Sequence, residues 1–197
     1  MVAYDSGTAL LVVDVQNDFA DPVGSLSVRG GADIIPRLNE EIRRAQTAGA
    51  PVVYTQDWHP ASTPHFAKDG GVWPVHCVAE TWGAALHPGL VVIGPTIRKG
   101  TAGEDGYSGF SMRDPTTNVT QPTDLESLLR QAGVRRVVVG GLATDYCVRA
   151  TVLDAIDRGF PATVLADGVA AVDLQPGDGT RALHEMVAAG ADLQPVG

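Results

Sequence analysis

The sequence predicts a three-layer α/β domain with a mostly parallel central sheet, Rossmann-like in its layering. Short, nearly unbroken apolar runs of strand length alternate along the chain with apolar residues at helical spacing. Parallel strands are joined by crossovers, normally helices, and strands covered on both faces lose the polar alternation of an exposed sheet. At 197 residues the chain can close one such core and leaves little for a second, so a single domain over 1–197 is expected.

Residues 8–15, TALLVVDV, form an almost continuous apolar run ending around Asp14, as expected of a central strand. After a loop containing Gly, Pro and Ser, Ile34, Ile35, Leu38, Ile42 and Ala45 recur at helical spacing until Gly49 and Pro51 stop the helix. PVVYTQ at 51–56 is the second strand and delivers the chain into Asp57, Trp58 and His59. From there to about residue 88, Pro, Gly, His and Trp are frequent and periodicity is weak, which reads as a long functional loop with room for a short helix.

LVVIGP and TIRKG carry strand-like runs near 90–99, followed by a Gly-rich segment at 100–110. Leu125, Leu128, Leu129 and Ala132 mark a helix ending at Gly133, and RRVVVGG at 135–141 is a further buried strand. Val148, Val152, Leu153 and Ile156 mark the helix after it. FPATVLAD supplies another strand, 180–189 a last helix, and ADLQ an edge strand. Asp14, Asp57, Lys99 and the turn from Gly140 to Cys147 fall at or just past strand ends. Four distant segments should therefore meet at the carboxyl edge of the sheet, where open α/β folds bind ligands.

The formal net charge of −9 disfavours nucleic acid and anionic membrane surfaces, which call for clustered Lys and Arg, so a small-molecule substrate is expected. MVAYDSGTALLVVD has no basic segment ahead of its apolar run and does not read as a signal peptide. No other apolar run approaches the roughly 18 residues of a membrane span. Only Cys77 and Cys147 are present, too few for a disulfide framework, so a reducing cytoplasm is expected and both thiols remain free.

In GGLATDYCV, residues 140–148, a strand turns through glycines into a helix and leaves Cys147 in its first turn. Unpaired N–H groups and the helix dipole there favour an anion and should lower the thiol pKa, although the segment equally suits a small buried hydrophobe. A cysteine attacking an amide also needs a group that accepts the thiol proton and returns one to the departing ammonia. Asp14 is the candidate and Lys99 the cation that could sit beside it; a capping Asp and a solvated Lys are the plain alternatives.

Three of the five histidines, His59, His65 and His76, lie in the loop that begins with Asp57, spaced D-x-H-x5-H-x10-H. One carboxylate and three imidazoles suit one divalent ion such as Zn, Fe or Mn. Cys77 follows a candidate ligand but is expected to be structural, since adjacent residues rarely reach the same ion. His87 and His184 lack motif context.

Taken in order, LLVVDVQNDF, DWH, WPVHC, KG with YSGF, GLATDYCV and LADGV resemble the isochorismatase-like cysteine hydrolases, and within them the nicotinamidase/pyrazinamidase branch, nearly end to end. The resemblance implies hydrolysis of nicotinamide to nicotinate and ammonia, with pyrazinamide as a further substrate. It implies a triad of Asp14, Lys99 and Cys147, and an oxyanion hole from the N–H groups of Ala143 and Cys147 with a cis peptide between Leu142 and Ala143. It implies Asp57, His59, His65 and His76 as metal ligands. Phe19 and Trp73 match ring-lining positions, with Ala143 and Tyr107 beside them; Tyr146 matches a variable position and receives no role. The family contains monomers and oligomers, leaving a homo-oligomer open. The main alternative is a sibling amidohydrolase acting on a carbamoyl or ureido compound, which would need the triad but not the Asp/His cluster.

Overall fold

The computed structural model describes residues 2–194. Strand β1 (Thr8–Val13) is buried at every residue. Its side chains alternate across the sheet: Leu10 and Val12 enter one apolar layer, Ala9, Leu11 and Val13 the other. That two-sided burial is why the run shows no polar alternation.

After β1 come a four-residue helix α1 (Asn17–Ala20), the long helix α2 (Ile35–Thr47) and strand β2 (Val52–Asp57). A 3-10 turn at Ala67–Asp69 interrupts the loop that follows, before β3 (Thr96–Lys99). A small antiparallel hairpin, β4 (Ser111–Arg113) and β5 (Thr120–Pro122), precedes α3 (Leu125–Gln131) and β6 (Arg136–Leu142). The chain closes with α4 (Arg149–Asp157), β7 (Ala162–Ala170), α5 (Asp178–Ala188) and β8 (Asp192–Gln194).

The main sheet has six strands in the order β3-β2-β1-β6-β7-β8, every neighbouring pair parallel. Helix α2 covers one face: Leu38 and Ile42 are fully buried against Leu10, Val12 and Leu165, each contributing about 1.5–3 kcal/mol by burial. α3, α4 and α5 cover the other face through Leu129, Val152 and Met186. The chain winds outward from β1 through β2 to β3, then returns to β6 on the other side and winds out to β8. The strand order therefore reverses between β1 and β6, where the loops leaving their carboxyl ends diverge and open a crevice. The register pairs Val13 with Gly141 and Asp57 with Lys99, bringing all four predicted segments to that edge.

Besides the short helix α1 in the first loop and the extension of β7 to Ala170, the structure differs from the sequence expectation at two places. Residues 90–93 form no strand; Val91, Val92 and Ile93 are exposed, and β3 begins only after Pro95. Side chains hold this segment in place of a ladder: Asn39 Oδ1 accepts the Val91 N–H at 2.8 Å, and the Tyr54 hydroxyl donates to the Val91 carbonyl at 2.8 Å. The β4–β5 hairpin was not expected, because SMR and TQP are short, polar and mostly exposed, so neither shows an apolar period.

Candidate active site

The turn after β6 is built on glycine. Gly141 has φ of +123°, and a Cβ there would stand 2.1 Å from the Val13 carbonyl oxygen of β1. The next peptide, Leu142–Ala143, is cis, as the family resemblance implied. Residues Thr144–Val148 then make a π-helical turn that feeds α4 and buries Cys147 to 6% exposure at the floor of the crevice.

Asp14 lies one residue beyond β1 with φ of +48°, in the left-handed region that Asp tolerates better than most residues. Its carboxylate is fully buried and accepts the Thr55 hydroxyl at 2.6 Å and the Lys99 ammonium at 2.6 Å. Lys99, fully buried at the end of β3, also lies 2.9 Å from Asp57 Oδ1 and donates to the Gly106 carbonyl. Cys147 Sγ and carboxylate oxygens of Asp14 and Asp57 lie within 4.8 Å of one another.

This packing sets the protonation states. Burial pushes the Asp14 carboxyl up to about 6 even though Lys99 opposes it. Burial would raise Asp57 too, but the Lys99 ammonium and then the neighbouring imidazoles reverse this and hold it well below the usual carboxylate range. Lys99 stays protonated: burial disfavours its charge, and Asp14 and Asp57 more than restore it. Burial, only partly offset by Lys99, pushes the Cys147 thiol well up, and a hydrogen bond to Asp14 reinforces the rise. The expectation of a lowered thiol pKa is thus corrected: desolvation and two carboxylates outweigh the favourable helix terminus. Cys147 rests as a thiol beside the Asp14 carboxylate.

Beside this cluster, nitrogens of His59, His65 and His76 lie within 4.8 Å of one another, and Asp57 Oδ2 is 3.8 and 3.9 Å from Nε2 of His59 and His76. Bonds of about 2.1 Å at tetrahedral angles hold ligand atoms about 3.4 Å apart, so these donors reach a shared divalent ion by drawing in by up to about 1.4 Å. Both ring nitrogens of the fully buried His59 lack a hydrogen-bond partner among the described residues, a costly arrangement that a metal bond relieves. Lys99 offsets only one of the two buried carboxylates, leaving room for a further cation. The donor set therefore fits a divalent metal.

The crevice is walled by Phe19, Trp73, Tyr107 and Tyr146, by Leu26, Val28 and Val172, and by Ala143 near Cys147. Trp73 Nε1 donates to the Tyr107 hydroxyl at 2.8 Å, and its ring meets Tyr146 edge-on at 4.9 Å. Flat apolar walls converging on a buried thiol at one side and imidazoles at the other suit a small heteroaromatic amide.

Of the predicted site residues, Phe19, Asp57, His65, Trp73, His76, Tyr107, Ala143 and Cys147 line this crevice, and Asp14, His59 and Lys99 are fully buried behind it. Cys77 does not join it: its thiol is fully buried in the apolar layer under α2. His184 is exposed and His87 lies 3.9 Å from Asp21. Sequence reasoning passed over Gln16, whose side-chain amide accepts the Asp57 N–H at 2.8 Å and donates to the Asp57 carbonyl at 2.7 Å, locking β2 to the end of β1. Gln16 stands inside the VVDVQNDF motif, so its place beside Asp14 was a signal. Thr55 and Asp105 also escaped notice, as did the pocket role of Tyr146.

The sequence matches the isochorismatase domain over residues 8–196. It is 40% identical to the nicotinamidase of Escherichia coli (strain K12), covering 94% of this chain and 93% of that one. Among solved structures, the pyrazinamidase of Pyrococcus horikoshii in complex with zinc has a TM-score of 0.86 at 42% identity, covering 96% of this chain and 99% of that one. PnC1 from L. infantum in complex with nicotinate has a TM-score of 0.88 at 37% identity, covering 98% and 95%.

Proposed function

The chain belongs to the isochorismatase domain family, and from that premise we propose that it is a metal-dependent nicotinamidase, hydrolysing nicotinamide to nicotinate and ammonia through a thioester on Cys147. The observation that carries the reading is the juxtaposition of the buried Asp14–Lys99–Cys147 cluster with three imidazoles across one flat aromatic pocket. A sibling acting on a carbamoyl or ureido compound would have no use for that imidazole set.

In the first half-reaction Asp14 takes the thiol proton as Sγ attacks the carboxamide carbon. The N–H groups of Ala143 and Cys147 receive the oxyanion, and Asp14 passes the proton to the leaving nitrogen, releasing ammonia. In the second half Asp14 accepts a proton from water as the water attacks the thioester; that proton returns to sulfur, and the acid product gives up its own proton to solvent and departs as nicotinate. Lys99 keeps Asp14 ionised and in register for both transfers. A carboxyl poised at about 6 can take and give the proton near neutral pH. Asp57, His59, His65 and His76 would hold the metal, which when bound supplies a Lewis-acid anchor for a nitrogen heteroaromatic ring.

Phe19, Trp73 and Tyr107 would sandwich the ring, and pyrazinamide, of the same shape, would be accepted. All these residues come from one chain, so a homo-oligomer would add to a complete site. We read 1–197 as one hydrolase domain. No helix among the described residues is long and apolar enough to cross a membrane. Both cysteines are free, which suits a reducing cytoplasm.

The test is product analysis of zinc-loaded protein offered nicotinamide, pyrazinamide and a ureido acid side by side. Nicotinate and pyrazinoate should form rapidly and the ureido acid should stay intact; turnover of the ureido acid alone would move the assignment to the sibling chemistry.

A further inference from the structure

The Gly-rich segment 100–110 leaves β3 and folds back over the imidazole cluster. It meets His65 twice. The Thr63 hydroxyl donates to the Gly103 carbonyl at 2.7 Å and accepts the His65 N–H at 3.2 Å, so the main chain of His65 is tied to this loop. The ring is tied as well: His65 Nδ1 and Asp105 Oδ1 are 2.6 Å apart, both side chains buried.

An ionised carboxylate only accepts, so Nδ1 must carry the hydrogen, and a neutral His65 then presents the Nε2 lone pair to the other two imidazoles. The Pro74 carbonyl does the same for His76, 2.8 Å from its Nδ1, but without a charge. Asp105 is itself supported from outside the pocket. Its Oδ2 accepts Arg113 of β4 at 2.8 Å, and the two residues exchange backbone hydrogen bonds of 2.7 and 3.0 Å. A half-exposed guanidinium on a small hairpin thus holds one oxygen of a buried carboxylate, and the other oxygen holds a ring.

We propose that Asp105 is a positioning residue of the metal site: it fixes the tautomer and orientation of His65, and Arg113 of the β4–β5 hairpin fixes Asp105. This rests on His65 being a metal ligand, as read above. It gives the hairpin a task, bracing one ligand from behind, and it predicts that metal affinity depends on a carboxylate that never touches the ion.

The experiment measures zinc affinity of the full chain, stripped and reloaded, by competition with a chromophoric chelator, with the melting temperature of the metal-free protein recorded alongside. Asp105→Ala should weaken zinc binding by about 10–100-fold. Asp105→Asn keeps both backbone bonds to Arg113 and an acceptor oxygen, so it should fold like the parent and fall between. Arg113→Ala leaves the carboxylate in place and should lose no more than about threefold, well short of the loss on removing the carboxylate itself. A structural role alone would lower the melting temperature of Asp105→Ala and leave the zinc affinity of both Asp105 variants within twofold, and that result overturns the proposal. His65→Ala separates the two levels: if it leaves zinc affinity unchanged, the ligand assignment itself fails. If His65→Ala weakens zinc and the Asp105 variants do not, only the positioning role fails.

Discussion

Replacing Lys99 by Met should move the acid limb of catalysis. In the native site Nζ lies 2.6 Å from Asp14 and 2.9 Å from Asp57, all in the interior. Removing one partner of a buried ion pair costs about 3–5 kcal/mol, and the least costly relief is for Asp14 to take up a proton. In the wild type Asp14 titrates at about 6, so kcat/KM should decline as pH falls through that value, because protonated Asp14 cannot accept the thiol proton. At about 1.4 kcal/mol per pH unit, Lys99→Met should carry the limb upward by about two to three and a half pH units. Lys99→Arg keeps the charge and should keep the limb near its native position, with a lower plateau because a planar guanidinium cannot fill the same cradle. The assay is ammonia release from nicotinamide by zinc-loaded protein across the pH range, with circular dichroism confirming the fold. A folded Lys99→Met enzyme whose rate drops uniformly, with its acid limb still near the wild-type pH, would refute the electrostatic role assigned to Lys99.

Three further outcomes are expected. Cys77→Ser should leave turnover near the wild-type value while costing about 1–2 kcal/mol in stability, read by urea denaturation; inactivity of the folded variant would point to the wrong nucleophile. Chelation should suppress ammonia release, with zinc restoring it, and zinc at 100 times its Kd should stabilise by about 2.7 kcal/mol, raising the melting temperature by about 5–10 °C; full activity of rigorously metal-free protein would contradict the ligand set. Gly141→Ala should destabilise by about 3 kcal/mol or more, because its Cβ would meet the Val13 carbonyl oxygen at 2.1 Å, and a variant that melts like the wild type would show that β1 and β6 can part there.

What was legible in the sequence follows from burial and periodicity. β1 and β6 are enclosed on both faces, so their apolar runs stood out, and the chemistry-bearing residues follow the strands directly, so convergence could be inferred. Features that depend on single side-chain contacts were not legible. Val91–Ile93 looks like a strand by composition, yet its polar backbone is held by Asn39 and Tyr54 from elsewhere in the chain. The protonation state of Cys147 depends on how completely the turn is buried, which the motif does not convey. Asp105 sits in a Gly-rich loop with no period at all, and its link to His65 spans 40 residues of sequence. The pocket wall formed by Leu26, Val28 and Val172 comes from two separate loops whose apolar residues looked like ordinary packing.

The covalent route is tested most directly by ammonia release from nicotinamide with zinc-loaded wild type and Cys147→Ala measured in parallel. The wild type should release ammonia in step with nicotinate, and the variant, folded and still binding zinc, should be slower by on the order of 10⁴-fold or more. A folded, metal-loaded Cys147→Ala protein that stays within tenfold of the wild type would contradict a thioester on Cys147.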